Sequence, residues 1–222
     1  METISTPTIR TTWTGTTDRR HHQPRHLATK HQQRTLVNPD KVAAGVHLIL
    51  EAIGENPNRE GLKETPARVA RMYQELFSAI GVDASKEITC VFHEDIDDPI
   101  IVRDIHFSSV CEHHLVPFFG MAQIAYIPEN GCITGLSKLA RVVELTARRP
   151  QVQERMTNEI ADALVSGLNP RGVAVILEAE HLCMSMRGVK KPGAKTITQA
   201  VRGVFKTDPA ARAELLAHIQ KT

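Results

Sequence analysis

The order of strand-like and helix-like segments is the feature that most constrains how this 222-residue chain folds. Three segments rich in β-branched and aromatic residues come first: "EITCVFHE", "PIIVRDIHFSSVC" and "FFGMAQIAYIP". Two segments with helical spacing follow, and then two more strand-like segments: "SKLARVVELTARR", "PQVQERMTNEIADALVSGL", "GVAVILEAEHLCMSM" and "KTITQAVRGVF". Strands and helices grouped in this way favour an α+β architecture. The sequence therefore predicts an antiparallel sheet with helices packed on one face.

Two further helices are predicted ahead of the strands. The segment "NPDKVAAGVHLILEAIGE" has Asp40 as a candidate N-cap and Gly54 as its stop. In "KETPARVARMYQELFSAIG", Thr65 is the candidate cap and Pro66 suits the first helical position. We expect these segments to form a helical pair at the start of the folded domain.

Residues 1–38 differ in composition from the rest of the chain. They are rich in Thr, Arg, His and Gln, with few apolar residues and no sustained period. We expect a disordered tail there and a single folded domain at residues 39–222. The histidines of the tail offer weak metal binding as an alternative, but a solvated basic arm is favoured because ordered metal sites need fixed geometry.

Charge and hydropathy exclude several classes of protein. The 27 basic and 25 acidic residues give a net charge of only +2, which argues against a polycation that coats nucleic acid. The sequence shows neither an apolar run of membrane-spanning length nor the apolar stretch of a secretory signal near residue 1. We therefore expect a cytoplasmic protein that binds neither nucleic acid nor membrane.

The four cysteines give the first chemical signal. They could form two disulfides in a secreted chain, but metal-binding or catalytic thiols are favoured in a reducing compartment. Cys111 and His114 have the Cys-x-x-His spacing of zinc ligands. His181 and Cys183 lie two residues apart in the predicted strand "GVAVILEAEHLCMSM", where alternate residues share a face.

Together these residues predict a metal site with an open position. Cys111, His114 and Cys183 would supply three ligands and leave a fourth position for water, as catalytic zinc sites do. His113 and His181 would then remain free for proton transfer. The alternative interpretation is that they are ordinary buried cysteines and hydrogen-bonded histidines.

Basic residues near a helix start predict an anion site. Lys138 and Arg141 lie in the first turn of a predicted helix, where the helix dipole disfavours positive charge unless an anion is bound. Arg187 lies four residues beyond Cys183 on the same face of the predicted strand, about 13 Å away, a distance that suits a ligand with its reactive base at the metal and phosphates at the far end. A solvated, charged helix end is the alternative.

Gln153 and Glu154 lie at the start of the next predicted helix. An acidic residue there is favourable to the helix dipole, so a plain capping role is one interpretation. As a pair, an amide and a carboxylate can also bind the donor edge of a purine, because a carboxylate accepts two hydrogen bonds at fixed spacing.

Four motifs occur in one order: "SVCEHHLVPFFG", "GLSKLARVVE", "RRPQVQERMT" and "EHLCMSMRG". With them, residues 40–220 resemble the GTP cyclohydrolase I family. The resemblance implies the tunnelling fold, in which sheets from several subunits join into barrels within a toroidal homo-oligomer, typically a decamer in bacterial members. It also implies conversion of GTP to formate and 7,8-dihydroneopterin triphosphate, the first step toward folate or tetrahydrobiopterin.

The resemblance also implies roles for individual residues. Zinc would be held by Cys111, His114 and Cys183. Protons would be moved by His113 and His181 as the guanine imidazole ring opens. The remaining assignments concern the rest of the substrate: Glu154 and Gln153 for the base, Ser137 for the later ribose rearrangement, and Lys138, Arg141, Arg187 and Arg68 of the partner subunit for the triphosphate.

Two residues depart from what the resemblance leads us to expect. Gln199 stands where a small hydroxyl residue is expected, and Cys132 is an additional thiol near a helix entry. Two other functions remain open: a tunnelling-fold nitrile reductase with a nucleophilic cysteine, and a structural zinc module that draws a ligand from the tail.

Overall fold

A computed structural model describes residues 37–220 of the chain, so residues 1–36 of the predicted tail lie outside the described part. The elements in chain order are α1 Pro39–Ala52, α2 Thr65–Leu76, β1 Phe92–His93, β2 Ile100–Cys111, β3 Pro117–Ile127, β4 Cys132–Ile133, α3 Leu136–Ala147, β5 Pro150–Gln151, α4 Gln153–Leu168, β6 Gly172–His181, α5 Leu182–Ser185, β7 Lys195–Gly203, α6 Val204–Thr207 and α7 Pro209–Gln220. A short 3₁₀ turn lies at Ala84–Glu87.

The main sheet has five strands in the order β5-β2-β3-β6-β7. The pairs β2–β3, β3–β6 and β6–β7 are antiparallel, which confirms the predicted α+β class. The prediction of a purely antiparallel sheet is wrong at one edge, where β5 pairs parallel with β2. Ser109 of β2 donates a 2.7 Å hydrogen bond to the Ala147 carbonyl, so the chain leaving α3 is held against this edge and runs extended before α4 begins.

Helices cover both faces of the sheet, and this corrects the predicted single layer. On one face, α3 and α4 pack their buried residues, among them Leu139 and Ile160, against alternate strand residues such as Ile124 and Val175. On the other face, Phe205 of α6 and Leu215 of α7 form a smaller cluster with three strand residues: Ala125, Ile127 and Ala174. Where β3 and β6 carry these residues, the side chains on both faces of the sheet are apolar. Both faces are therefore buried by packing against helices.

The first helix begins one residue earlier than its predicted cap. Asn38 is the N-cap, because its side chain accepts a 3.0 Å hydrogen bond from the Lys41 amide, and Pro39 occupies the first turn. The predicted role of Asp40 as the cap is therefore wrong, although an acidic residue in the first turn remains favourable to the helix dipole.

The predicted strand "EITCVFHE" is reduced to β1, which pairs with β4 in a separate two-stranded sheet. A disulfide joins Cys90 and Cys132 across this small sheet. The preference for metal-binding or catalytic thiols is therefore wrong for this pair, while Cys111 and Cys183 are free thiols. No helix in residues 37–220 combines the length and the apolar character needed to cross a membrane.

Candidate active site

Three of the predicted ligands converge at one end of the main sheet. The ligand atoms of Cys111, His114 and Cys183 all lie within 4.8 Å of one another. Cys111 is buried at the end of β2, His114 is exposed in the following turn, and Cys183 is half-buried in α5. Within residues 37–220, this is the cluster of three or more such side chains that could hold a metal ion.

The turn after β2 is tight, and this brings the histidines beside the buried thiol. The Leu115 amide donates to the Cys111 carbonyl at 2.8 Å, and the Cys111 amide donates to the Val116 carbonyl at 2.9 Å. Leu115 has a φ of 53°, a left-handed conformation that reverses the chain toward β3. The Nδ1 atom of His113 lies 3.9 Å from the sulfur of Cys111.

The sequence placed Cys183 correctly near Cys111, but for the wrong structural reason. Strand β6 ends at His181 and the chain then enters the helical turn α5, so His181, Cys183 and Arg187 do not line one strand face. The strand-based separation of Cys183 and Arg187 therefore does not hold. Burial, followed by the neighbouring sulfur of Cys111, raises the pKa of the Cys183 thiol, and the positive charge of Arg187 acts in the opposite direction.

Two contacts hold the side chain of His181. Its ring stacks parallel on Phe118, with centroids 4.5 Å apart, and its Nε2 lies 2.7 Å from the side-chain oxygen of Gln153. Burial lowers the pKa of His181, and the nearby charge of Glu154 partly opposes this. The imidazole is therefore favoured in its neutral form near neutral pH.

The side chain of Gln153 is buried, and both polar atoms of its amide make hydrogen bonds. Its amide nitrogen donates to the carbonyl oxygens of Leu177 and Thr196 at 3.0 and 2.9 Å and lies 3.1 Å from the Thr198 hydroxyl oxygen. Carbonyl oxygens only accept, so the remaining atom facing His181 is the amide oxygen. That oxygen accepts the Nε2 proton, which leaves Nδ1 of His181 as the nitrogen free for chemistry.

Arg155 of α4 is linked to the turn after β2. Its guanidinium pairs with the carboxylate of Glu112 and donates from Nε to the side-chain oxygen of Gln151 at 2.9 Å. The hydrogen bond from Arg155 lowers the pKa of the Glu112 carboxyl. Glu154 lies exposed in the first turn of the same helix.

The predicted anion site contains a carboxylate in this structure. The Glu87 carboxylate lies 3.5 Å from Lys138 Nζ and 3.9 Å from Arg141 Nη1. Helix α3 begins after Gly135, which offers no side-chain cap, and Ser137 is exposed in its first turn. The two cations thus share a site that already attracts negative charge.

The other two predicted phosphate-binding residues are exposed, and several residues near the site were not predicted from the sequence. Arg187 is exposed after α5, and Arg68 is exposed on α2. Sequence reasoning missed Phe118, Arg155 and Glu87, because their roles come from neighbours that are distant along the chain. It also missed a second Cys-x-x-His spacing, Cys90-Val91-Phe92-His93, which repeats that of residues 111–114.

The fold and the site together define a class of protein. Two free thiols and an imidazole converge at the end of an α+β sheet, near two further histidines, and helix α3 carries two cations that pair with Glu87. This arrangement is typical of a metalloenzyme that acts on an anionic substrate.

The family follows from comparison with known proteins. Residues 42–220 match the model of GTP cyclohydrolase I. Three relatives are named GTP cyclohydrolase 1. The one from Bacillus subtilis (strain 168) is 58% identical over 185 residues, which cover 83% of this chain and 97% of the relative. The one from Desulforamulus reducens is 59% identical over 182 residues, covering 82% and 97%.

The third relative, from Streptococcus pyogenes serotype M1, is 56% identical over 192 residues, covering 86% of this chain and 99% of the relative. This chain belongs to the GTP cyclohydrolase I family and is an enzyme of that family. Among solved structures, one titled "Crystal structure of the archaeosine synthase QueF-Like in the apo form" gives a TM-score of 0.40 at 16% identity. It covers 47% of this chain and 93% of the other, and no argument rests on it.

Proposed function

We propose that this enzyme is a zinc-dependent hydrolase of the cytoplasm that opens the guanine imidazole ring of GTP. It releases formate and forms 7,8-dihydroneopterin triphosphate, the first step toward folate or tetrahydrobiopterin. The observation that carries this proposal is the convergence of Cys111, His114 and Cys183 within 4.8 Å of one another.

The donor set fits zinc. Two thiolates and one imidazole are ligands that zinc prefers, and three protein ligands leave a position open, as in catalytic sites. A cation would also favour the thiolate form of Cys183, whose pKa is raised in the metal-free protein. When bound, zinc supplies a Lewis acid that lowers the pKa of water at the site.

Two histidines handle the protons. Because Gln153 holds the Nε2 proton of His181, the Nδ1 atom of His181 is free to accept a proton from the reacting groups and to return it later. The parallel stacking on Phe118 fixes the direction in which Nδ1 points. His113 is exposed beside Cys111 and can protonate the imidazole ring of the base as the ring opens.

Glu154 binds the guanine. It is exposed at the start of α4, directly after Gln153, so its two carboxylate oxygens can accept hydrogen bonds from the N–H groups of the base. We assign Gln153 a positioning role instead of the predicted base contact, because its amide is buried and engaged. Ser137, exposed in the first turn of α3, assists the later rearrangement of the ribose.

The triphosphate is held by cations from more than one subunit. Lys138 and Arg141 lie together on α3, Arg187 follows α5, and Arg68 of the partner subunit completes the set. The contact of Lys138 and Arg141 with Glu87 supports this assignment, since it shows both cations directed at one anionic position. A toroidal homodecamer built by joining sheets would bring such residues from different chains into one site.

Substitution of Cys183 by serine tests the proposal. We expect Cys183→Ser to lose stoichiometric zinc and turnover together, because a hydroxyl is a far poorer zinc ligand than a thiolate at neutral pH. Metal analysis and the fluorescence of the oxidised pterin product measure the two properties. Cys132→Ser is the matched control and should retain both. Full zinc content with normal turnover in Cys183→Ser would contradict the assignment.

A further inference from the structure

A second cluster of sulfur and imidazole groups lies outside the candidate active site. The disulfide between Cys90 and Cys132 links the segment before β1 to β4, with Cα atoms 5.6 Å apart, a separation that a disulfide spans readily. The Nε2 atom of His93 lies 3.9 Å from the sulfur of Cys90. We propose that Cys90 and Cys132 form a reversible thiol–disulfide couple, in which Cys90 reacts first with a small oxidant and Cys132 resolves the product.

The order of reaction follows from accessibility. Cys90 is exposed, whereas Cys132 is half-buried in β4. A small oxidant therefore reaches the sulfur of Cys90 more easily. The thiolate is the reactive form of cysteine, and the imidazole of His93 is near enough to accept the thiol proton from Cys90.

The backbone keeps the two sulfurs close even without the disulfide. The register of the small sheet places His93 opposite Cys132. The Val91 amide donates to the Ile133 carbonyl at 2.8 Å, and the Glu94 amide donates to the Gly131 carbonyl at 3.0 Å. These hydrogen bonds hold the reduced thiols near each other, so the disulfide can form again without refolding of the domain.

The proposed oxidant is a low-molecular-weight disulfide, and the steps balance. The Cys90 thiolate attacks one sulfur of the oxidant, forms a mixed disulfide and releases one small thiolate. The Cys132 thiolate then attacks the Cys90 sulfur, forms the Cys90–Cys132 bond and releases the second small thiolate. The protein loses two thiol protons and two electrons, and the oxidant is reduced to two thiols.

The couple lies next to the proposed substrate site. Strand β4 ends at Ile133, and Thr134 then leads into α3, which carries Ser137 and Lys138. The oxidised couple holds the entry to this helix against β1. We therefore expect the amides of Val91 and Glu94 to exchange with solvent more slowly in the oxidised protein than in Cys90→Ser.

Oxidised glutathione is a suitable probe for the full-length protein after reduction with a phosphine. Peptide mass spectrometry follows each cysteine separately. The wild type should acquire the Cys90–Cys132 disulfide, and Cys132→Ser should retain glutathione on Cys90. In Cys90→Ser, modification of Cys132 should be about tenfold slower or more, because thiol reactivity depends on access and ionisation.

Two results would overturn the proposal: no disulfide between Cys90 and Cys132 in the wild type, or modification of Cys132 in Cys90→Ser at the rate seen for Cys90. His93→Gln tests the imidazole, with the exposed His106→Gln as its matched control. His93→Gln should slow the first step several-fold at neutral pH but not at alkaline pH, where the thiol ionises unaided. An equal rate in both variants at neutral pH would remove His93 from the proposal. These readouts do not depend on GTP turnover.

Discussion

Gln153 could have either of two roles beside the substrate pocket: binding the base or orienting His181. A side chain that binds the base would change the capture of GTP, whereas one that orients His181 would change the chemical steps. The buried amide, with its oxygen 2.7 Å from Nε2 of His181, fits the second function. The two functions predict different kinetic effects of the same substitution.

We expect Gln153→Leu to lower kcat by roughly ten- to a hundredfold, with a small change in KM and normal zinc content, because misplacing a proton-transferring group removes part of its contribution. Steady-state kinetics and metal analysis measure these effects. Thr198→Val is the matched control, since it removes one contact of the Gln153 amide nitrogen but leaves His181 untouched. A rise in KM at unchanged kcat would instead show that Gln153 contacts the base.

At the residue scale, the sequence predicts which thiols and imidazole converge better than it predicts the residues that support them. Cys111, His114 and Cys183 stand out because thiols and imidazoles at metal-ligand spacing are uncommon in apolar segments. Phe118 and Arg155 are ordinary residues in the sequence. Their roles arise from contacts with His181 and Glu112, far along the chain, and no local pattern records such contacts.

At the scale of elements, one carboxylate bridges two points of the loop between β6 and β7. Glu180 accepts hydrogen bonds from the Ser185 hydroxyl at 2.6 Å and from the Gly193 amide at 3.1 Å. Between these two contacts lies Arg187, which we assign to the triphosphate. Glu180 therefore adds two side-chain hydrogen bonds to the backbone bond between the Lys191 amide and the Met184 carbonyl, which also closes the loop that carries this cation.

The closure of this loop should depend on pH. The Ser185 hydroxyl, followed by the Gly193 amide, lowers the pKa of Glu180 below its ordinary value of 4.5. A lowered folded-state pKa means that the carboxylate contributes stability above pH 4.5 and loses it as the pH falls through the folded-state value. We expect protection of the Gly193 amide from hydrogen exchange to be constant near neutral pH and to decrease only below pH 4.5.

Without the carboxylate, the loop should be open at every pH. Glu180→Ala should remove the protection of Gly193 and raise KM for GTP several-fold, because an open loop no longer places Arg187. Glu178→Ala is the matched control, since Glu178 pairs with Lys195 on the same strand pair and does not contact the loop. Unchanged protection of Gly193 in Glu180→Ala would show that the loop is closed by other contacts.

Sequence patterns predict the long strands but not where β6 ends or where β5 lies. The apolar runs of β2, β3, β6 and β7 predict those strands because their periodicity is sustained over nine or more residues. The pattern could not show that β6 ends at His181, because the alternation of residues continues into α5. Nor could it place β5, since Pro150 is equally suited to open a helix.

At the scale of the whole molecule, the first helix leaves several large apolar side chains exposed to solvent in the single chain. Leu48 and Ile49 of α1 are 64% and 60% exposed, and Ile53, directly after the helix, is 68% exposed, while Leu50 is the buried residue of the helix. Exposed apolar residues grouped on one helix face often mark a contact with another protein. This supports the proposed homo-oligomer, with α1 in an interface between subunits.

We expect Ile49→Glu to shift the protein from the proposed homo-oligomer to smaller species, because burying an unpaired carboxylate in an apolar interface costs on the order of several kcal/mol. Light scattering coupled to size-exclusion chromatography measures the assembly. Turnover should fall with the assembly, since the proposed site needs Arg68 of the partner subunit. Zinc content per chain should not change, because Cys111, His114 and Cys183 converge within one chain. Ile49→Met keeps the apolar surface and should behave as the wild type. A full-sized, active assembly of Ile49→Glu would exclude this face of α1 from the interface.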